Sequence, residues 1–185
     1  EGGVGLIPAG GGSKEFYLRM LEALGPEADP MEAARRAFET IGMARVSTSA
    51  VEAKQLGFLR ASDSLAMNPD RLIAGAKAEA IALAEAGYVA PQPREDIPVS
   101  GADGRALLEV GLYNMLTAGY ISRHDQLIGK KLARILTGGD APAQSKLSEQ
   151  HLLDLEREAF LSLCGERKSL ERIQYMLKKG KPLRN

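Results

Sequence analysis

The residues best suited to chemistry stand together in Glu1-Gly-Gly-Val-Gly-Leu-Ile-Pro-Ala-Gly-Gly-Gly-Ser-Lys14. A carboxylate can give or take a proton as a general acid or base. Glycines let a backbone approach a ligand closely and adopt φ values that other residues resist. One carboxylate, one proline and six glycines in fourteen residues suggest the wall of an active site. Two nucleotide motifs are close but fail. The dinucleotide fingerprint G-x-G-x-x-G finds Gly3 and Gly5, with Pro8 where its third glycine belongs. The P-loop G-x-x-x-x-G-K-[ST] finds Gly5 and Gly10, but Gly11 replaces the lysine and Ser13-Lys14 reverses the order.

The other reactive side chains are weaker candidates. His124 and His151 fall on different helices without metal-ligand spacing, so no metal site is expected. Ser13 has no His and Asp partners at suggestive spacing, and helix capping is the simpler role for it. Cys164 is the single cysteine; it excludes an internal disulfide and suits a reducing compartment, so the expected location is the cytoplasm.

Helices must position these residues. Apolar spacing predicts them over 13–24, 29–40, 49–57, 68–86, 103–118, 122–136, 147–164 and 169–179, about seven helices of substance in a mainly α chain. Asp29-Pro30-Met31-Glu32 combines an N-cap acid with proline at the first helical position, and Ser49-Ala-Val-Glu52 reads as a capping box. Leu72, Ile73, Ala76, Ala80 and Leu83 make an alanine-rich face suited to close packing. Leu152, Leu155, Ala159 and Leu163 make another. Short extended pieces are expected at 45–47 and 58–60, and the proline-rich stretch 90–101 reads as a surface loop. Lys plus Arg and Asp plus Glu are both 24, a balance that removes the electrostatic case for nucleic acid. No apolar run approaches the ~18 to 20 residues of a membrane span.

Beyond these readings, Glu1, Gly5, Ile7, Pro8, the cluster Gly10 to Gly12 and Ser13 closely resemble the second catalytic-glutamate segment of the crotonase (enoyl-CoA hydratase/isomerase) superfamily, roughly E-x-x-x-G-x-I-P-x-x-G-G-[ST]. Val46 to Leu59 is similar to the turn that follows the active-site helix there. Leu155-Glu-Arg-Glu-Ala-Phe160, Glu171-Arg-Ile-Gln and Lys178-Lys-Gly-Lys-Pro182 resemble the family's closing helices. The likeness covers 1–87 and 147–185 and is weak between, so 1–87 reads as the end of a crotonase-like catalytic core, 88–146 as a helical insertion after the proline-rich loop, and 147–185 as the C-terminal helices. The whole looks most like the C-terminal hydratase domain of a fused 3-hydroxyacyl-CoA dehydrogenase/enoyl-CoA hydratase of fatty-acid β-oxidation.

The resemblance implies hydration of 2-enoyl-CoA to 3-hydroxyacyl-CoA. Glu1 falls on the general acid/base facing the α-carbon. Ala9 falls where a backbone N–H helps hold the reacting water, with Pro8 and Gly10 beside it as substrate-binding positions. The other glutamate and the oxyanion donors would precede residue 1, so the chain is expected to be a fragment, inactive alone and partnered by the missing N-terminal part. Acyl-CoA is the implied substrate; Arg35-Arg36, Lys130-Lys131 and the basic run Lys178 to Arg184 could meet CoA phosphates, with solvated helix faces the simpler reading. NAD is expected for the parent protein and no cofactor within this chain. A homo-oligomer is expected as well. The alternatives are an enoyl-CoA isomerase fragment, which can work with one carboxylate, and a non-catalytic helical oligomerisation module.

Overall fold

The computed structural model describes residues 2–185, and by packing these form two compact units: residues 2–46 with 94–185, and residues 47–93. The chain is mainly α, as expected. Among the described residues there are eight α-helices: α1 (Gly12–Leu24), α2 (Pro30–Gly42), α3 (Ala50–Gln55), α4 (Leu72–Glu85), α5 (Gly101–Thr117), α6 (Arg123–Leu136), α7 (Glu149–Cys164) and α8 (Arg167–Lys179). Two short strands, β1 (Ile97–Pro98) and β2 (Lys146–Leu147), and two 3-10 turns, Gly2–Val4 and Pro69–Arg71, complete it. None of the described helices is long and apolar enough to cross a membrane.

In the larger unit α6 is the hub, packing on α1, α2, α5 and α7. Its Leu132, Ala133, Ile135 and Leu136 are buried, and burial of a leucine or isoleucine side chain contributes about 1.5–3 kcal/mol. Helix α2 starts where its sequence dictates: the Asp29 carboxylate accepts the Met31 N–H at 2.9 Å and Pro30 needs no partner. Ala33, Ala34 and Ala37 lie on one face of α2 and are fully buried, their small size letting neighbours come close. Close approach also explains Gly129 of α6, where a Cβ would lie 2.6 Å from Leu112 Cδ2 of α5. On α7 the expected face is the buried one: Leu152, Leu155, Ala159 and Leu163.

The strands were not expected, because 90–101 reads as loop. Residues before prolines are biased to extended backbone, and β1 uses that bias. It pairs antiparallel with β2, Ile97 opposite Leu147 and Pro98 opposite Lys146; Ile97 and, just past the strand, Val99 are buried. The extended piece expected at 45–47 is not a strand. Ala44 takes a φ of 49°, and the Arg45 N–H returns to the Thr40 carbonyl at 3.0 Å, so the chain curls around the end of α2.

In the smaller unit Ser49 caps α3 by accepting the Glu52 N–H at 3.1 Å. The reciprocal half of the box is displaced by one residue. Glu52 accepts the N–H and hydroxyl of Thr48, both at 2.6 Å, and these hydrogen bonds hold its acid below the usual range. Residues 58–60 form no strand, because the N–H groups of Phe58 and Leu59 turn back onto the Ala53 carbonyl. Asn68 caps the 3-10 turn ahead of α4, accepting the Asp70 N–H. Helix α4 has no buried residue, and Ile73 is 82% exposed, so its apolar face is not used for packing as the spacing suggested.

Candidate functional site

The glycine-rich segment enters α1 through a turn tied down by two later helices, α7 and α8. Leu6 and Ile7 are buried and anchor it. The Ser169 hydroxyl of α8 donates to the Gly5 carbonyl at 2.7 Å, where a Cβ would meet Arg172 Cδ at 2.9 Å. Pro8, Ala9 and Gly10 follow as a contiguous turn: the first two are half-buried, and Gly10 is exposed. The Gly12 N–H closes the turn on the Ala9 carbonyl at 3.2 Å, and the Ser13 hydroxyl donates to the Pro8 carbonyl at 2.8 Å. Gly10 and Gly11 carry φ of 64° and 90°, left-handed conformations that explain why two glycines stand in succession.

Gly11 is the N-cap of α1 and has no side chain with which to cap it. The cap comes from α7. Glu156 is 2% exposed, and its Oε1 accepts the Gly11 N–H at 2.6 Å. Its Oε2 accepts the N–H groups of Ser13 at 2.9 Å and Lys14 at 3.1 Å. The carboxylate therefore satisfies three donors at the positive end of the helix. The buried Lys14 ammonium binds the carboxylates of Glu15 and, at 2.8 Å, Glu149. Burial works against its charge, but the two carboxylates outweigh it and raise its pKa above the ordinary lysine value. Glu149 is held low by Lys14 and by the Arg94 N–H, 3.0 Å away.

A second web holds Ser169. His124 Nε2 lies 3.0 Å from Ser169 Oγ, and since that hydroxyl donates to Gly5, the ring nitrogen is the donor. Burial lowers the imidazole pKa, with the nearby Arg172 adding to the effect. Arg172 in turn pairs with Asp125 at 2.7 Å and donates from Nε to Asn185 Oδ1 at 2.8 Å.

Of the four site residues expected from sequence, the structure places Pro8, Ala9 and Gly10 side by side; Glu1 lies outside the described residues. Ser13 is not the cap, because it lies inside α1 and its hydroxyl faces back to Pro8. The residues that fix the turn, Glu156, Ser169, His124 and Arg172, escaped sequence reasoning. One signal was present: Glu156 sits between Leu152, Leu155 and Ala159 on the apolar face of α7, where an unpartnered charge would be costly. Three of the four basic side chains in Arg35-Arg36 and Lys130-Lys131 have acidic partners of their own. Arg35 and Arg36 bind Glu32, whose acid their hydrogen bonds pull down to about 2, and Lys130 stands 3.8 Å from Glu109. Among the described residues no group of three or more His, Cys, Asp or Glu is placed to hold a metal ion. A separate concavity of about 290 Å³ lies between the starts of α2 and α5, bordered by Asp29, Met31, Ser100 and Asp103.

No family model matches the chain, and no solved structure matches it. Over all 185 residues it is 49% identical to a protein of Bacillus subtilis (strain 168) described as a probable 3-hydroxyacyl-CoA dehydrogenase. The chain spans 23% of that relative's length.

Proposed function

We propose that these residues are part of a fatty-acid β-oxidation enzyme acting on acyl-CoA thioesters. The longer polypeptide would oxidise 3-hydroxyacyl-CoA with NAD and also hydrate 2-enoyl-CoA. The 49% identity over the full chain carries the first half of this reading, because it ties every segment to a probable 3-hydroxyacyl-CoA dehydrogenase. The hydratase half rests on the crotonase-like pattern from Glu1 to Ser13.

In this reading Glu1 is the general acid/base at the α-carbon, and the Ala9 N–H, in the turn Pro8–Gly10, helps hold the water. A second glutamate and two oxyanion donors come from elsewhere in the polypeptide, since hydration of a conjugated thioester needs both. The chain alone is then inactive. NAD does not fit here. The fingerprint lacks its third glycine, and the Glu156 carboxylate occupies the N-terminus of α1, where a pyrophosphate would have to sit. In this reading NAD, which accepts hydride when bound, is assigned to another part of the polypeptide. The cytoplasm is the proposed location and a homo-oligomer the proposed assembly.

The test is Glu1→Gln in the full-length protein. Hydration of 2-enoyl-CoA should be abolished while oxidation of 3-hydroxyacyl-CoA continues unchanged. Undiminished hydration sinks the assignment of Glu1. Loss of double-bond isomerisation, in a protein that never hydrates, would favour the isomerase instead. One observation favours a second reading, a helical oligomerisation module: α4 exposes Leu72, Ile73, Ile81 and Leu83. Light scattering that returns a monomer at high concentration argues against it.

A further inference from the structure

Four of the eight described α-helices are capped by the side chain next to their own first turn: Asp29 for α2, Ser49 for α3, Ser122 for α6, Ser148 for α7. Helix α1 departs from this, taking its cap from Glu156, 145 residues from Gly11. A local cap fixes a helix to its own preceding residue. A remote one fixes the whole turn to the body of the protein. Burying an ionised carboxylate costs several kcal/mol unless hydrogen bonds offset it, so a serine or aspartate at the N-cap would satisfy the helix with less penalty. Gly11 excludes that solution, since its φ of 90° suits glycine and glycine has no cap to offer.

We propose that Glu156 is the positioning residue of the candidate site, setting the place of the Pro8–Gly10 turn against the substrate without touching substrate itself. The proposal rests on the hydratase reading above. The link runs through hydrogen bonds and the covalent chain between them. Glu156 Oε2 holds the Ser13 N–H, and the Ser13 hydroxyl holds the Pro8 carbonyl. Glu156 Oε1 holds Gly11, and Gly12 holds the Ala9 carbonyl. A shift of the carboxylate is thereby passed to the two residues flanking the Ala9 N–H. A misplacement of about 1 Å in a site can lower turnover on the order of a hundredfold.

Two variants of the full-length protein decide it, Glu156→Gln and Glu156→Asp. The amide can accept at one end only, and its NH2 group confronts N–H donors at the other. The aspartate keeps both acceptors but is one methylene short. We expect kcat for hydration to fall at least about tenfold in Glu156→Gln, as befits an oriented group, with KM little changed. Glu156→Asp should fall between it and the wild type, and both should keep wild-type oxidation of 3-hydroxyacyl-CoA. Wild-type hydration kcat in both variants overturns the proposal. So does a parallel loss of both activities with a lowered melting temperature in both, because that is what a merely structural carboxylate would give. Should Glu156→Gln not fold, Glu156→Asp alone decides. The wild type and Glu1→Gln serve as controls. A wild type that does not hydrate sinks the hydratase reading and this proposal together, whereas hydration that depends on Glu1 but ignores Glu156 sinks this proposal alone.

Discussion

Helix α6 begins with Ser122, which accepts the Asp125 N–H at 3.2 Å while Asp125 accepts the Ser122 N–H at 2.9 Å. Four consecutive residues satisfy the helix start. Helix α1, in the same unit, begins with Gly11 and depends on a carboxylate from α7. The first device is autonomous, forming wherever that tetrapeptide goes. The second forms only when the fold is complete, and it joins the stability of α1 to the placement of α7. The turn carrying the candidate substrate-facing backbone sits on the second kind of entrance. A site that must hold its geometry benefits from being tied to the core rather than to its neighbour in sequence.

The contrast can be broken first at Glu156. Glu156→Ala leaves the N–H groups of Gly11, Ser13 and Lys14 without acceptors, and lost hydrogen bonds to a charged group cost about 1.5–3 kcal/mol each before relaxation. Urea unfolding should show a loss of about 3 kcal/mol or more. Ser122→Ala removes one local cap and should cost about 1 kcal/mol in the same measurement. Equal losses would erase the distinction between the two entrances.

The smallest effect is a pH dependence at the point where the two entrances meet. His124 belongs to the first turn of α6, and through Ser169 it supports the Gly5 carbonyl ahead of α1. Its folded pKa is depressed, so the unfolded chain binds the proton more readily. The stability linked to it is complete above the ordinary value of 6.5 and is lost as the pH falls through the folded value. Melting temperature should decline as the pH falls below about 6.5, by a slope that His124→Asn flattens. An unchanged slope would detach His124 from the web.

The same division separates what could be read from the sequence from what could not. Asp29-Pro30 announces α2, and Leu152, Leu155, Ala159 and Leu163 announce the buried side of α7, because each signal lies within a few residues of its effect. The left-handed backbone at Gly10 and Gly11 was legible in the glycine run for the same reason. Glu156 was not. Its role depends on which turn faces α7, and nothing near position 156 states that. The pairing of Ile97 with Leu147 was hidden likewise, since each strand is only two residues long and its partner is remote. At α4 the pattern misled: an alanine-rich apolar face marks a capacity for packing, and here every residue of the helix is exposed.

The remote cap also sets an order of events during synthesis. Glu156 emerges from the ribosome 142 to 145 residues after the amides it closes, roughly 7 to 29 s later at ordinary elongation rates. Until then water must serve the first turn of α1, and the segment Pro8–Gly10 has no fixed seat. A nascent chain thus completes its own helices early and its candidate pocket wall late. Truncation anywhere before α7 would leave that wall unformed, however well the earlier helices fold.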